Sequence, residues 1–342
     1  MHRRSFLKTA AAGAAGLASA SLLPNAVFAA PKTNLRVQLG WIANVQYCDL
    51  WIGLERGLFA KEGLTLDVNP GGPNSPDALA LVAAGKTEIG YTSWLPFLDA
   101  VKMGNDFVLI AARLQKSPLG IISLAKKPIL APKDIVGSRI LAQGPNERTA
   151  IEATLGLAGL PKKDWTMVPA GFSPEPLLAG DGDGYTAFAT NQAVALEQMG
   201  MVREKDFFFR TFDDLGFMSY AAICFVARDY LEKNRDALVG YVRALMKAQL
   251  ISEAEPTLGA KLAVEKYGVD YGLDMKQQIR QAELEMDFVR PGGDPNYPIY
   301  SLDLEKMAGP MYDGARATGR TDLPPIEKIA DPTIAQDALK SL

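Results

Sequence analysis

The sequence predicts an α/β protein of two doubly wound lobes facing each other across a cleft. Three observations carry that expectation. Strand-like and helix-like segments alternate from Leu35 to Ala227, one stretch of this pattern is echoed later in the chain, and from Arg228 the character changes to almost uninterrupted helix. Alternation of short apolar runs with amphipathic helices is the pattern of largely parallel sheets covered by helices.

The strand-like runs, taken in order, are "LRVQL", "LTLDV", "EIGY", "FVLIAA", "GIISLA", "SRILA", "WTMVPA", "GYTAFA", "FFFRTF" and "YAAICFVA". Between them lie helical patterns with start and stop signals. In "SPDALALVAAG" Ser75 reads as the N-cap, Pro76 as the first helical residue and Gly85 as the stop. After Arg228, "YLEKNRDALVGYVRALMKAQLISEA", "TLGAKLAVEKYG" and "DMKQQIRQAELEMDFV" read as helices that cover a core, and "RPGGDPNYPIY" reads as a loop.

The echo pairs "NSPDALALVAAGKTEIGYTSW" with "FSPEPLLAGDGDGYTAFAT". Ser75 matches Ser173, Asp77 matches Glu175, and Tyr91 and Thr92 match Tyr185 and Thr186. Capping and turn grammar alone produces part of this match. As a repeat, it would put equivalent helix N-termini and strand ends into two similar lobes. In open α/β sheets the crevice at the carboxyl ends of the strands is where ligands sit.

Compartment and composition narrow the chemistry. The opening "MHRRSFLKTAAAGAAGLASASLLPNAVFAAPK" pairs Arg3 with Arg4 ahead of a small-residue apolar run, and reads as a twin-arginine export signal cut after Ala29. Residues 1–29 would leave 313 residues outside the cytoplasmic membrane, enough for two domains. Removing Arg3, Arg4 and Lys8 moves the formal charge from -3 to -6, which argues against a nucleic-acid partner. The sole histidine is His2, so the mature chain has none, and Ser-His-Asp, Cys-His and histidine-bearing zinc sites are excluded. Cys48 and Cys224 are expected as buried free thiols, with pairing in an oxidising compartment as the alternative. The "DGDGY" run at Asp181 reads as a turn, because the twelfth position of a calcium loop would be Gln192 rather than Glu. No metal and no cofactor are expected.

The ordered run "GWIANVQYCDLWIGLERGLFAKEGLTLDV", "GGPN", "LVAAGKTEIGYTS", "ISLAKKPILAPKDIVGSRI", "PLLAGDGDGYTAFATNQ" and "FVARDYLEKN" resembles the periplasmic solute-binding proteins of ABC importers. The branch is the one that takes thiamine-pyrimidine precursors, sulfonates, nitrate or taurine. The resemblance implies two lobes joined by two hinge crossings, the type II-like periplasmic binding protein fold. Lobe one would hold residues 30–125 and 223–342, and lobe two residues 126–222. It also implies a monomer that takes a small-molecule ligand in the cleft and docks onto a membrane permease.

Within that frame the loop after the first strand carries Trp41, Asn44, Gln46 and Tyr47: rings that stack on a flat ligand and amides that read its edge. The plainer alternative is that Trp41 packs on its own lobe and Asn44 caps a helix. Asn74 and Ser75 follow Gly71 and Gly72 in a second loop, Tyr91 and Thr92 form a third, and Gln115 beside Arg113 a fourth. Lobe two offers Asn146, Ser173, Glu175, Thr190 and Asn191, with Glu175 either an acceptor for a ligand amino group or a solvated partner of the helix dipole. The lobe-one loops hold Trp41, Tyr47, Tyr91 and Trp94 but no Lys or Arg, which fits a planar nitrogen heterocycle better than a sulfonate, taurine or nitrate anion. An enzyme of the related pyrimidine-synthase type would, by the same resemblance, need histidine and a cofactor-bound lysine. A sensory receptor of the same fold is the third reading.

Overall fold

A computed structural model describes residues 33–72 and 75–342 of the chain. The expected export signal at residues 1–29 and the candidate Asn74 lie outside the described residues.

Among the described residues ten strands form at the ten apolar runs: β1 (Thr33–Gln38), β2 (Leu64–Asn69), β3 (Ile89–Thr92), β4 (Phe107–Leu114), β5 (Leu119–Leu124), β6 (Arg139–Ala142), β7 (Thr166–Pro169), β8 (Gly184–Phe188), β9 (Phe207–Thr211) and β10 (Ala221–Ala227). They make two sheets, ordered β2-β1-β3-β10-β4 and β7-β6-β8-β5-β9. Within each lobe the connections carry helices. Cys48–Glu55 and Leu58–Lys61 join β1 to β2, Ala78–Ala83 joins β2 to β3, and Trp94–Lys102 joins β3 to β4. Pro145–Leu157, Glu175–Ala179 and Gln192–Gln198 play the same parts from β6 to β9.

The sheets are mixed rather than parallel throughout. β1 runs parallel to β2 and β3, whereas β10 is antiparallel to both of its neighbours, and β5 is likewise antiparallel to β8 and β9. The cause is geometric. Strands joined by helices run toward the cleft, so a strand that arrives across the cleft enters its sheet at that edge and runs away from it. Both antiparallel strands are such arrivals, β5 from β4 and β10 from β9. β5, expected at the end of lobe one, therefore belongs to the second sheet. The crossings lie at residues 115–118 and 212–220, upstream of the boundaries 125 and 223 that the resemblance implied.

β3 and β8 take the same third position in their sheets, so Tyr91 and Tyr185 stand at matching places. The helix caps differ from the sequence expectation. Asp77, not Ser75, caps Ala78–Ala83, accepting from Leu79 N at 2.7 Å and Ala80 N at 3.2 Å. Ser75 is held in the preceding turn by its N–H to Gly72 O at 3.0 Å. The "DGDGY" run is the turn into β8, where the Asp183 carboxylate accepts from Arg139 N at 2.8 Å.

Helix Arg228–Ala254 packs against Cys48–Glu55 and buries Leu238, Tyr241, Val242 and Leu245, an i, i+3, i+4, i+7 stripe in which Tyr241 stacks on Phe59. Burying each such side chain contributes roughly 1.5–3 kcal/mol. The later helices do more than cover lobe one. Tyr312–Ala317 packs on the second-lobe helix Pro145–Leu157, with the Lys162 ammonium donating to Ala317 O. Small residues allow this approach: a Cβ on Gly156 would lie 3.3 Å from that of Ala317. Cys48 and Cys224 are both buried free thiols.

Candidate functional site

The carboxyl ends of β1, β3, β6 and β8 meet the two crossings around one cleft of about 510 Å³. Its first wall is the loop after β1. Gly71 lets this loop and the β2 loop touch, since a Cβ there would lie 2.3 Å from Leu39 O, and Gly40 lets it approach β3, where a Cβ would lie 2.9 Å from Tyr91 O. Asn44 Oδ1 accepts from Gln46 N at 3.0 Å and caps the short turn Val45–Tyr47. The capping alternative therefore holds for its oxygen, while its amide nitrogen has no partner among the described residues. Trp51 Nε1 donates to Asn44 O at 2.9 Å and fixes the loop from behind.

Tyr47 is buried edge-on between Trp51 and Tyr91, and the Tyr91 hydroxyl meets that of Tyr241 at 2.9 Å. Burial pushes both Tyr47 and Tyr91 hydroxyls up, so both stay neutral. These rings form a packed floor. Trp41 is different: it meets Phe172 of the second lobe edge-to-face, with centroids 5.8 Å apart, across the cleft. Phe172 is 57% exposed and sits in the loop after β7.

Of the sequence candidates, Trp41, Asn44, Gln46, Tyr47, Ser75, Tyr91, Thr92, Asn146, Thr190 and Asn191 line the cleft. Three do not. Ser173 and Glu175 lie outside it, because the short helix Glu175–Ala179 turns its first residues to solvent, and Ser173 Oγ only accepts from Glu175 N at 3.3 Å. Gln115 is buried in the first crossing instead. Its N–H donates to Phe288 O at 2.7 Å and its amide to Ala112 O and Ser301 O, and the Lys306 ammonium donates to its carbonyl at 2.6 Å.

Sequence reasoning missed Gln143, Glu147, Phe172, Tyr220 and Gln281, all of which line the cleft. Gln143 is fixed by Thr186, donating to its carbonyl at 3.0 Å and accepting from its hydroxyl at 2.7 Å. Its signal was its place at the end of β6, one position on from "SRILA". Gln281 carried no local signal, since it is one glutamine in a tail helix.

Charge around the cleft is one-sided. Asp77 and Glu147 line it, and no Lys, Arg or His does among the described residues. Nearby cations are committed elsewhere. Lys116 pairs with Asp214 at 2.7 Å, and Lys306 lies 4.5 Å over the Tyr220 ring. Arg113 is fully buried between Glu285 at 2.9 Å and Asp49 at 3.6 Å. Burial alone would push its guanidinium down, but Glu285, Cys48 and Asp49 more than offset this, so it stays charged.

Two mixed α/β sheets, two crossings and a cleft between them define a protein of the periplasmic binding protein fold. By its residues 44–257 the chain belongs to the NMT1/THI5-like family. It is 22% identical over 317 residues to a formylaminopyrimidine-binding protein of Halalkalibacterium halodurans, covering 90% of each chain. It is 23% identical over 233 residues to a 4-amino-5-hydroxymethyl-2-methylpyrimidine phosphate synthase of Uromyces fabae, covering 65% of this chain and 68% of that one. Among solved structures, the periplasmic aliphatic sulphonate binding protein SsuA of Escherichia coli matches with a TM-score of 0.65 at 17% identity, over 87% of this chain and 92% of that one.

Proposed function

We propose that this chain is the exported solute receptor of an ABC-type importer and that its cleft takes a small planar nitrogen heterocycle of the aminopyrimidine kind. One observation carries the ligand class: an aromatic cleft whose only charged lining residues, among those described, are the carboxylates Asp77 and Glu147. An anion entering it would meet like charge and no cationic side chain, whereas an amino-substituted ring finds stacking faces and acceptors. Glu147 takes the acceptor role that the sequence suggested for Glu175. The relative named as a formylaminopyrimidine-binding protein supports the same reading.

A second reading, a sulfonate, taurine or nitrate receptor, is favoured by Ser93 and Gly144, N-caps of Trp94–Lys102 and Pro145–Leu157, which line the cleft and offer backbone donors. A synthase activity like that of the Uromyces relative is disfavoured by the lack of histidine after His2. Periplasmic location rests on the twin-arginine signal, and the receptor acts as a monomer that closes about residues 115–118 and 212–220 before meeting its permease. Calorimetric titration with 4-amino-2-methylpyrimidine and with ethanesulfonate tests the ligand class. Heat from the first alone is expected. Tight binding of the second alone would replace this reading with the anion receptor.

A further inference from the structure

Helix Met275–Val289 lies beyond the residues that the family model matches, and it forms part of the cleft wall through Gln281. Gln278, Gln281 and Glu285 are all buried on it, and buried amides have to be satisfied by hydrogen bonds. The bonds here run in one direction. Val45 N–H can only donate, and it gives to Gln278 Oε1 at 2.9 Å. That leaves the Gln278 nitrogen to face Gln281, whose Oε1 it meets at 3.5 Å. At the far end Glu285 Oε2 accepts from Arg113 Nη1 at 2.9 Å, and Glu285 Oε1 accepts from Gln281 Nε2 at 3.0 Å.

The orientation of a glutamine amide is decided by its network, and both ends of this relay demand the same one. A flipped Gln281 would set oxygen against the Glu285 carboxylate and nitrogen against the Gln278 nitrogen. One N–H of Gln281 is thus spent on Glu285. The other has no acceptor among the described residues, on a side chain that lines the cleft.

We propose that Gln281 is a ligand-reading residue: its free N–H donates to a hydrogen-bond acceptor on the bound molecule, and the Glu285–Arg113 pair behind it fixes that polarity. The proposal rests on the cleft being the ligand site. It does not rest on the heterocycle, because a ring nitrogen and a sulfonate oxygen are both acceptors.

The test compares wild type with Gln281→Met by calorimetry, using 4-amino-2-methylpyrimidine, 3-methylaniline (the same ring without its nitrogens) and ethanesulfonate. Wild type should bind the pyrimidine about tenfold tighter than the aniline, the value of one satisfied buried donor, and the Met variant should reduce that ratio to about threefold or less. A thermal melt of the variant checks its fold, and Gln281→Asn, which draws the N–H back by one methylene, replaces it if it does not fold. An unchanged ratio overturns the proposal. If wild type binds ethanesulfonate and no pyrimidine, the heterocycle reading falls while a tenfold loss in the variant upholds Gln281. Binding of none of the three probes by folded wild type overturns both.

Discussion

Arg113 touches no solvent, and what it holds shows how the cleft depends on residues that do not line it. It donates to Glu285, lies against Asp49, and reaches Cys48 Sγ at 3.4 Å, while the Tyr300 hydroxyl donates to Asp49 from the opposite side. Arg113→Met would leave two buried carboxylates without their cation, at a cost of about 3–5 kcal/mol. Urea unfolding should show this as a large fall in midpoint. A variant as stable as wild type would mean that the cluster repacks. Trp41→Ala should weaken a planar ligand several-fold, from the roughly 0.5–1.5 kcal/mol that stacking adds, as calorimetric titration would show; unchanged affinity would mean that the ring only packs on the protein. Ala222, with φ at 48°, lines the cleft just past the second crossing, in a left-handed conformation that costs a non-glycine residue about 1–2 kcal/mol.

At the scale of elements, the join between β1 and β3 is thin, two residue pairs, and is reinforced by Arg36 and Glu88. Burial would push the Glu88 carboxyl up, but hydrogen bonds from the Arg36 side chain and backbone hold it below its usual range. A carboxyl so depressed stabilises the fold above its unfolded pKa, and that contribution is lost as pH falls through the folded one. Glu88→Gln should therefore lower the melting temperature at pH 7, and the gap to wild type should narrow as pH falls below the ordinary carboxylate range. A gap independent of pH would assign the loss to packing. The strands themselves were legible because apolar, β-branched runs bounded by turns admit few alternatives, as "FVLIAA" and "YAAICFVA" illustrate. The mixed direction of β5 and β10 was not, since direction depends on which sheet a strand enters and not on its own residues. Local cap grammar favoured Ser75 over Asp77 because both are good N-cap residues; Ser75 N–H is taken by Gly72 O three residues back, and the helix starts two residues later. In the cleft, the loop residues that follow strands were readable, and Glu175 failed because its helix is only five residues long and faces water. Gln281 needed the relay through Glu285 to be seen.

At the scale of the molecule, the lobes are joined by more than two crossings. Gln277 donates to Asn191 at 3.0 Å, Arg280 pairs with Glu197 at 3.3 Å, and Trp41 rests on Phe172. On the proposed hinge, opening would part these contacts, so small-angle scattering should show a larger radius for Phe172→Ala than for wild type without ligand, and equal radii once ligand is saturating. Equal radii in both conditions would mean that these contacts do not hold the closed form. The strand order also bears on how the chain is made. The second sheet is drawn entirely from β5 to β9, a contiguous stretch, whereas the first has a gap between β3 and β4 that only β10 fills. Synthesis runs from the N-terminus, so the half begun first is finished last. Until residue 227 has left the ribosome, β3 keeps an unpaired edge and β4 has no strand partner, and such edges are where nascent chains aggregate. The later-made lobe can be complete by then, a folded body against which the earlier one closes.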